Sequence, residues 1–318
     1  LGGLLPPARR AGAADGDDDP GRPGGGDRAG RHGRALSAAP GTPAPFPVLV
    51  NLRAIGVSYA WFREQSRRLE AAGYDGVAIW DHFVSRGVRR DPVLECWTTL
   101  AGLAGSTSRL HLMTFVLNVM NRQPAVVARM AATLQEASGG RLVLGIGIGG
   151  HPAEHLAYGI PFPAAPERVA RLEEAVAVLR ALWAGGPVSR QSRFYPLSDA
   201  YAFPTPEPAP PIIVGGESAP GAVLAGQIGD GWTVPAPLLA EHLPVYLEAL
   251  AGIGRDRSTT SVLAAFDLGK GESLAGSPWV EDPAGTALRW QAAGADGAVV
   301  GVRTTDDVAL LVAAASRR

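Results

Sequence analysis

The chain has 318 residues, 46% of them hydrophobic, and a formal net charge of −1. That is enough apolar material for one large core or two ordinary ones, and the near-neutral balance leaves no electrostatic footprint for DNA, RNA or an anionic lipid surface. The single cysteine, Cys96, excludes an internal disulfide and suits a reducing cytoplasm; it lies in an apolar helical pattern and reads as packing.

Residues 1–45 are mostly Gly, Pro, Ala, Arg and Asp. Such a composition cannot bury enough surface to offset its ordering entropy, so a disordered tail is expected, with folding from Phe46 onward. Arg9-Arg10 is not followed by the apolar stretch of a twin-arginine signal, and no apolar run approaches the roughly 20 residues of a membrane span. Residues 48–52 then read as a strand. A helix over 61–72 stops at Gly73, where a left-handed residue is cheap. A strand at 76–80 precedes a helix from about 92 to 104, with Pro92 in its first turn. Residues 109–118 read as a strand, 124–138 as a helix closed by Gly139-Gly140, and 141–147 as a strand. A long amphipathic helix covers 166–183. Segment 185–210 breaks the pattern: "VSRQSRFYPL" resembles a small hairpin, read as an insertion on one face. Further strands at 211–216, 231–234, 261–266 and 297–302 have helices between them.

About eight strand–helix pairs between 46 and 318 imply an α/β fold with a parallel sheet closed into a (β/α)8 TIM barrel. A weak internal repeat supports closure. "AAGYDGVAIW" and "AAGADGAVVG" share a helix end, glycine, aspartate, glycine and strand, and "QIGDGWTV" echoes them.

The second strand ends in Asp81 and His82, an acid and an imidazole after a buried run. In such barrels the C-terminal strand ends carry the active site. The plain alternative makes Asp81 a cap and His82 an exposed side chain. Two other motifs are weaker. "GIGIGG" (145–150) satisfies G-x-G-x-x-G, but a dinucleotide site needs a helix opening on that turn, and four prolines follow. Its bare amides can still cradle an anion or admit a flat ring. "HPAEH" (151–155) matches a zinc-peptidase pattern, but Pro152 leaves His151 outside the helix, so no metal site is expected.

Together, "GYDGVAIWDHF", the run from "LECWTTL" to "LVLGIGIG", "AEHLAYGIPFP", "RVARLEEAVAVLRALW", "PPIIVGG" and "DGW" resemble the bacterial luciferase-like monooxygenase family, and within it the branch that uses the deazaflavin coenzyme F420. The resemblance covers 48–250 well and 260–315 loosely. It implies a barrel with a reduced flavin or deazaflavin across its mouth, the ring near the ends of strands two to four. Asp81 and His82 match the Asp-His pair of that branch, with His82 at the reacting face as acid or base and Asp81 at the cofactor. Thr114, Phe115 and Val116 match a strand bulge under the ring, where a non-prolyl cis peptide is expected at Phe115–Val116, with Asn118 just beyond. Gly149, Gly150 and His151 fall at the cofactor after strand four. Gly215 and Gly216 match the glycine pair whose amides hold the cofactor's phosphate, a placement that also suits anion binding physically. Two departures stand out. Gly150 replaces an aromatic common in relatives, so the pocket wall there is open. No acid stands at 149–150, where sugar-phosphate dehydrogenases of this branch place a catalytic Glu.

The expected function is hydride transfer between reduced F420 and a small organic substrate. The alternative is an FMN-dependent monooxygenase using molecular oxygen; a zinc hydrolase and a non-catalytic binding barrel are more distant rivals. The resemblance also implies a homodimer.

Overall fold

Val48–Leu52 (β1) is buried at every position, as a strand covered on both faces must be. Seven more strands follow: Gly76–Ile79 (β2), His111–Thr114 (β3), Leu142–Gly147 (β4), Ile212–Gly215 (β5), Gly231–Pro235 (β6), Ser261–Phe266 (β7) and Gly297–Val302 (β8). Each pairs in parallel with the next, and β8 pairs with β1, so the sheet closes. This computed structural model describes residues 46–85, 91–269 and 272–318. The expected tail, with Arg9-Arg10, lies outside the described residues.

The barrel helices are Tyr59–Ala71 (α1), Cys96–Ala104 (α2), Pro124–Ala137 (α3), Ala165–Trp183 (α4), Ala219–Ile228 (α5), Ala236–Gly252 (α6), Pro283–Ala292 (α7) and Thr305–Ala314 (α8). Alternation along the strands separates two cores. Leu49, Ala78, Met113, Val143, Ile213, Leu263 and Val299 fill the lumen. Their neighbours on the other face, such as Val50, Ile79, Leu112, Val214, Trp232 and Val300, pack under the helices. The insertion forms the expected antiparallel hairpin, Val188–Arg190 with Leu197–Ala200. Among the described residues no helix is long and apolar enough to cross a membrane.

Two expectations need correction. The second helix begins at Cys96, not near residue 92, because the Glu95 side chain caps it by accepting from the Trp97 and Thr98 amides. Pro92 stays outside, where its carbonyl accepts from Gly56 N–H at 2.8 Å. The strand expected over 109–118 is interrupted: the Phe115–Val116 peptide is cis, and only Leu117–Asn118 resumes pairing with β4.

The aspartate–glycine repeat now has a physical cause. Asp75, Asp230 and Asp296 each precede a strand and grip the one before it. Their Oδ2 atoms accept from the amides of Val48, Ile212 and Val262 at 2.8–2.9 Å, and their own amides donate to the carbonyls of those three residues. The glycine after each leaves room for the next chain. A Cβ on Gly231 would stand 2.3 Å from the Ser261 carbonyl, and one on Gly76 or Gly297 2.9 Å from a carbonyl. These latches sit at the N-terminal strand ends, the face that carries stability in such barrels. Asp296→Ala strips the Val262 amide of its side-chain acceptor and should cost about 1–3 kcal/mol in urea unfolding. Asp296→Asn, which keeps an acceptor oxygen, should lose less; equal losses would remove the latch from the account.

Candidate active site

At the C-terminal strand ends, the lumen-facing positions above the inner core are Asn51, Gly145, Gly147, Gly215, Thr233, Ala265 and Gly301, since their strand neighbours belong to the outer core. Five of the seven are glycine or alanine; the space over Gly145, Gly147 and Gly215 is taken by Thr114 and Val116, and that over Gly301 by Asp267. With its amide oriented to satisfy both neighbours, Asn51 accepts from Trp80 Nε1 at 2.6 Å and donates to the Ala78 carbonyl at 3.3 Å. Thr233 Oγ1 is buried there without a partner among the described residues.

The bulge after β3 explains the glycine-rich run after it. A Cβ on Gly145 would stand 2.0 Å from the Thr114 carbonyl oxygen, and one on Gly147 or Gly215 would stand 3.0 Å from a Val116 methyl. Phe115 packs on the lumen core. The G-x-G spacing at 145–147 therefore makes space for the bulge, and a seven-residue helix, Pro152–Tyr158, follows in place of a dinucleotide-binding helix. Thr114 departs from its expected cofactor contact: fully buried, it donates its hydroxyl to the Gly145 carbonyl at 2.6 Å.

Asp81 is 4% exposed. Arg122 donates to both its oxygens, Nη1 to Oδ2 and Nη2 to Oδ1, at 2.9 Å each. Asn118 N–H and Asn121 Nδ2 also donate to Oδ2, both at 3.0 Å. Burial pushes this carboxyl up, and the Arg122 hydrogen bonds and charge and the Asn118 and Asn121 donors oppose it. Four donors converging on two oxygens suit only the carboxylate. Arg122 is itself half-buried, which lowers its guanidinium, yet Asp81 and Glu95 hold it above the ordinary value. Its Nη2 also reaches Glu95 at 2.6 Å. Asp81 is thus occupied in fastening the 118–122 segment and the start of α2 to the end of β2, and its expected contact with the cofactor is corrected accordingly.

His82 meets a buried acid. Its Nδ1 lies 3.2 Å from Glu154 Oε2, with the two side chains 25% and 2% exposed. Phe83 N–H donates to the same oxygen at 3.2 Å. Burial raises the Glu154 carboxyl, but the His82 hydrogen bond and charge and the amides of Phe83 and Val84 outweigh it, leaving it below the ordinary value. The His151 ring lies 5.9 Å from that of His82, and its Nδ1 is unpartnered among the described residues. His155 turns inward. Asn118 Oδ1 accepts from Met120 N–H at 3.0 Å, which leaves Nδ2 to donate to His155 Nε2 at 2.7 Å. Burial, the largest influence, holds that imidazole below its usual range. Of the H-x-x-E-H residues, His151 and Glu154 face His82 while His155 turns to Asn118, and among the described residues no group of three or more His, Cys, Asp or Glu can hold a metal.

Gly149 has φ of +75° and packs against Asn118, whose side chain a Cβ would meet at 2.5 Å; nothing lies within 4 Å of a Cβ on exposed Gly150. Gly216 corrects another expectation. Its amide donates to the Thr233 carbonyl at 3.2 Å, its carbonyl accepts from Trp232 Nε1, and a Cβ would lie 2.8 Å from the Gly221 backbone. It seats α5 against β5 and has no amide to spare for a phosphate. Glu154, Arg122, Asn121 and Glu95 were missed in the sequence. Glu154 was visible only within the zinc-like motif, and its partner is 72 residues away.

A family model described as luciferase-like monooxygenase matches residues 37–269. An F420-dependent glucose-6-phosphate dehydrogenase from Microbacterium testaceum (strain StLB037) is 32% identical over 203 residues, covering 61% of this chain and 59% of that protein. An F420-dependent hydroxymycolic acid dehydrogenase from Mycobacterium tuberculosis (strain ATCC 25618 / H37Rv) is 32% identical over 228 residues, covering 69% and 62%. The chain thus spans less than two thirds of the length of these relatives. Among solved structures, an F420-dependent secondary alcohol dehydrogenase in complex with an F420–acetone adduct shares the fold with a TM-score of 0.74 at 22% identity, covering 86% of this chain and 98% of that one. A long-chain alkane monooxygenase does so at 0.69 and 14%, covering 86% and 91%.

Two variants probe this wiring. Arg122→Leu leaves the buried Asp81 carboxylate without its counter-ion and should cost about 3–5 kcal/mol in chemical denaturation, with Asp81→Asn in the same chain recovering part of the loss. Glu154 ionises at lower pH in the folded chain than in the unfolded one. Its contribution to stability is therefore complete above the ordinary value of 4.5 and is lost as pH falls through the folded value. The melting temperature of Glu154→Gln should accordingly fall less steeply than wild type on acidification below that point.

Proposed function

Because the chain belongs to the luciferase-like monooxygenase family, we propose that it is an oxidoreductase that moves a hydride between coenzyme F420 and a small organic substrate. The observation that carries this reading is the His82–Glu154 pair at the barrel mouth. It gains support from relatives more than 30% identical that are named as F420-dependent dehydrogenases. The unpartnered Thr233 Oγ1 at the mouth is, among the described residues, a buried polar atom a ligand would satisfy.

When bound, the deazaflavin supplies two-electron hydride chemistry. The chain supplies the rest. An ionised Glu154 can only accept, so His82 Nδ1 carries hydrogen towards it and Nε2 is left to exchange a proton with the substrate. Glu154 holds the tautomer and the ring plane. Phe115, Val116, Asn118, Gly149, Gly150 and His151 would line the cofactor's place at the ends of β3 and β4. Gly215 and the first turn of α5, opened by the Ser218 cap, take the phosphate.

Fluorescence titration of the purified protein with F420, beside a parallel titration with FMN, tests the assignment. F420 should bind more tightly; preference for FMN would move the reading to an oxygen-using monooxygenase. With F420 bound, His82→Ala should retain most of the cofactor affinity and lose about 10²–10⁴-fold in single-turnover hydride transfer. A variant as fast as wild type would remove the proton-transfer role.

A further inference from the structure

Arg53 follows β1 and is half-buried. Leu52 and Ala54 on either side both belong to the outer core, so the Arg53 side chain is directed to the opposite face, over the barrel mouth. Its amide continues the β1–β8 ladder by donating to the Val302 carbonyl at 3.2 Å. The pairings Leu52 with Val302 and Asn51 with Ala78 put Arg53 level with Arg303 on one side and Trp80 on the other. Its guanidinium makes no hydrogen bond, ion pair or ring contact with any described residue.

The charged groups around it are already committed. Asp81 and Glu95 are held by Arg122, and Glu154 by His82. Arg303 turns away to Asp267 at 3.6 Å, to the Gly269 carbonyl at 3.1 Å and to the Leu268 carbonyl. Arg53 is half-buried as a residue, and its guanidinium offers five donors that no described residue takes up. Its planar fork matches a carboxylate or a phosphate group.

We propose that Arg53 is the specificity residue for an anionic substrate, binding a carboxylate or phosphate group that anchors the molecule beside His82. This rests on the oxidoreductase reading, and it names the substrate class for that site. Position separates the anion from the cofactor's own phosphate. β1 lies next to β2, which carries His82, whereas β5, with Gly215, is four strands away in an eight-strand closed sheet, on the far side of the mouth. One anion cannot touch both, and an anion at Arg53 leaves the adjoining atoms of its molecule within the neighbourhood of the His82 imidazole.

The test uses inorganic phosphate and acetate as probes, titrated calorimetrically at constant ionic strength into the full chain saturated with F420, so that the cofactor's phosphate position is filled. Wild type should bind one of them, and the tighter probe distinguishes a phosphate ester from a carboxylate. Arg53→Gln should weaken that binding about 10–100-fold, and Arg53→Lys should lie between. F420 affinity should be the same in all three proteins. Equal probe binding in wild type and Arg53→Gln, or none in wild type, overturns the proposal. A parallel fall in F420 affinity also overturns it, by making Arg53 a cofactor ligand. If wild type does not bind F420 at all, the oxidoreductase reading fails, and the same comparison on the unloaded protein still decides whether Arg53 holds an anion.

Discussion

The bidentate pair between Asp81 and Arg122 is the interaction on which the mouth of this barrel depends. Three segments distant in sequence meet at it: the end of β2, the loop from Asn118 to Arg122, and the start of α2 through Glu95. A carboxylate this buried is expensive to hold. The cost is offset because four donors reach its two oxygens and the guanidinium carries the balancing charge. The immediate consequence is positional. With Asp81 fastened, the next residue, His82, emerges from a rigid strand end, and the bulge at Phe115–Val116 is anchored just before Asn118.

The two ends of the barrel divide the work. At the N-terminal ends, Asp75, Asp230 and Asp296 bind neighbouring strands together through backbone groups and have exposed or half-exposed arginines as partners. Those contacts ask only that the strands stay in register. At the C-terminal ends the same residue type, in Asp81, is sealed from water, and the lumenal glycines make room for the Phe115–Val116 bulge and for Asp267. Polar atoms without partners among the described residues at the mouth, on Thr233 and His151, together with a guanidinium of Arg53 that pairs with no described residue, are what a scaffold leaves when its remaining contacts are to be made by something else.

Glu154 and His82 show how a short helix changes the chemistry available. Pro152–Tyr158 has only seven residues, yet it delivers Glu154 beneath the imidazole and His155 against Asn118. Two adjacent titratable residues thereby face different strands. One meets the imidazole of His82, and the other helps pin the β3 extension through Asn118.

Period, turn residues and repeat determined the architecture. Buried strands, glycine helix stops and the aspartate–glycine signature are local patterns, so the eight parallel units and the closed barrel were legible in the sequence, as were the hairpin and the position of His82 at the mouth. The same local reading misjudged the start of α2, because the Glu95 cap outweighs the pull of Pro92 towards a first turn. It also assigned Thr114, Asp81 and Gly216 to a ligand, although each is held by partners elsewhere in the chain: Gly145, the 118–122 loop and Thr233. Only the tertiary structure decided those pairings, together with Glu154 against His82 and Arg53 without a partner among the described residues. A side chain's hydrogen-bonding capacity can be spent once, and which neighbour claims it depends on groups that folding brings together from 16 to 72 residues apart.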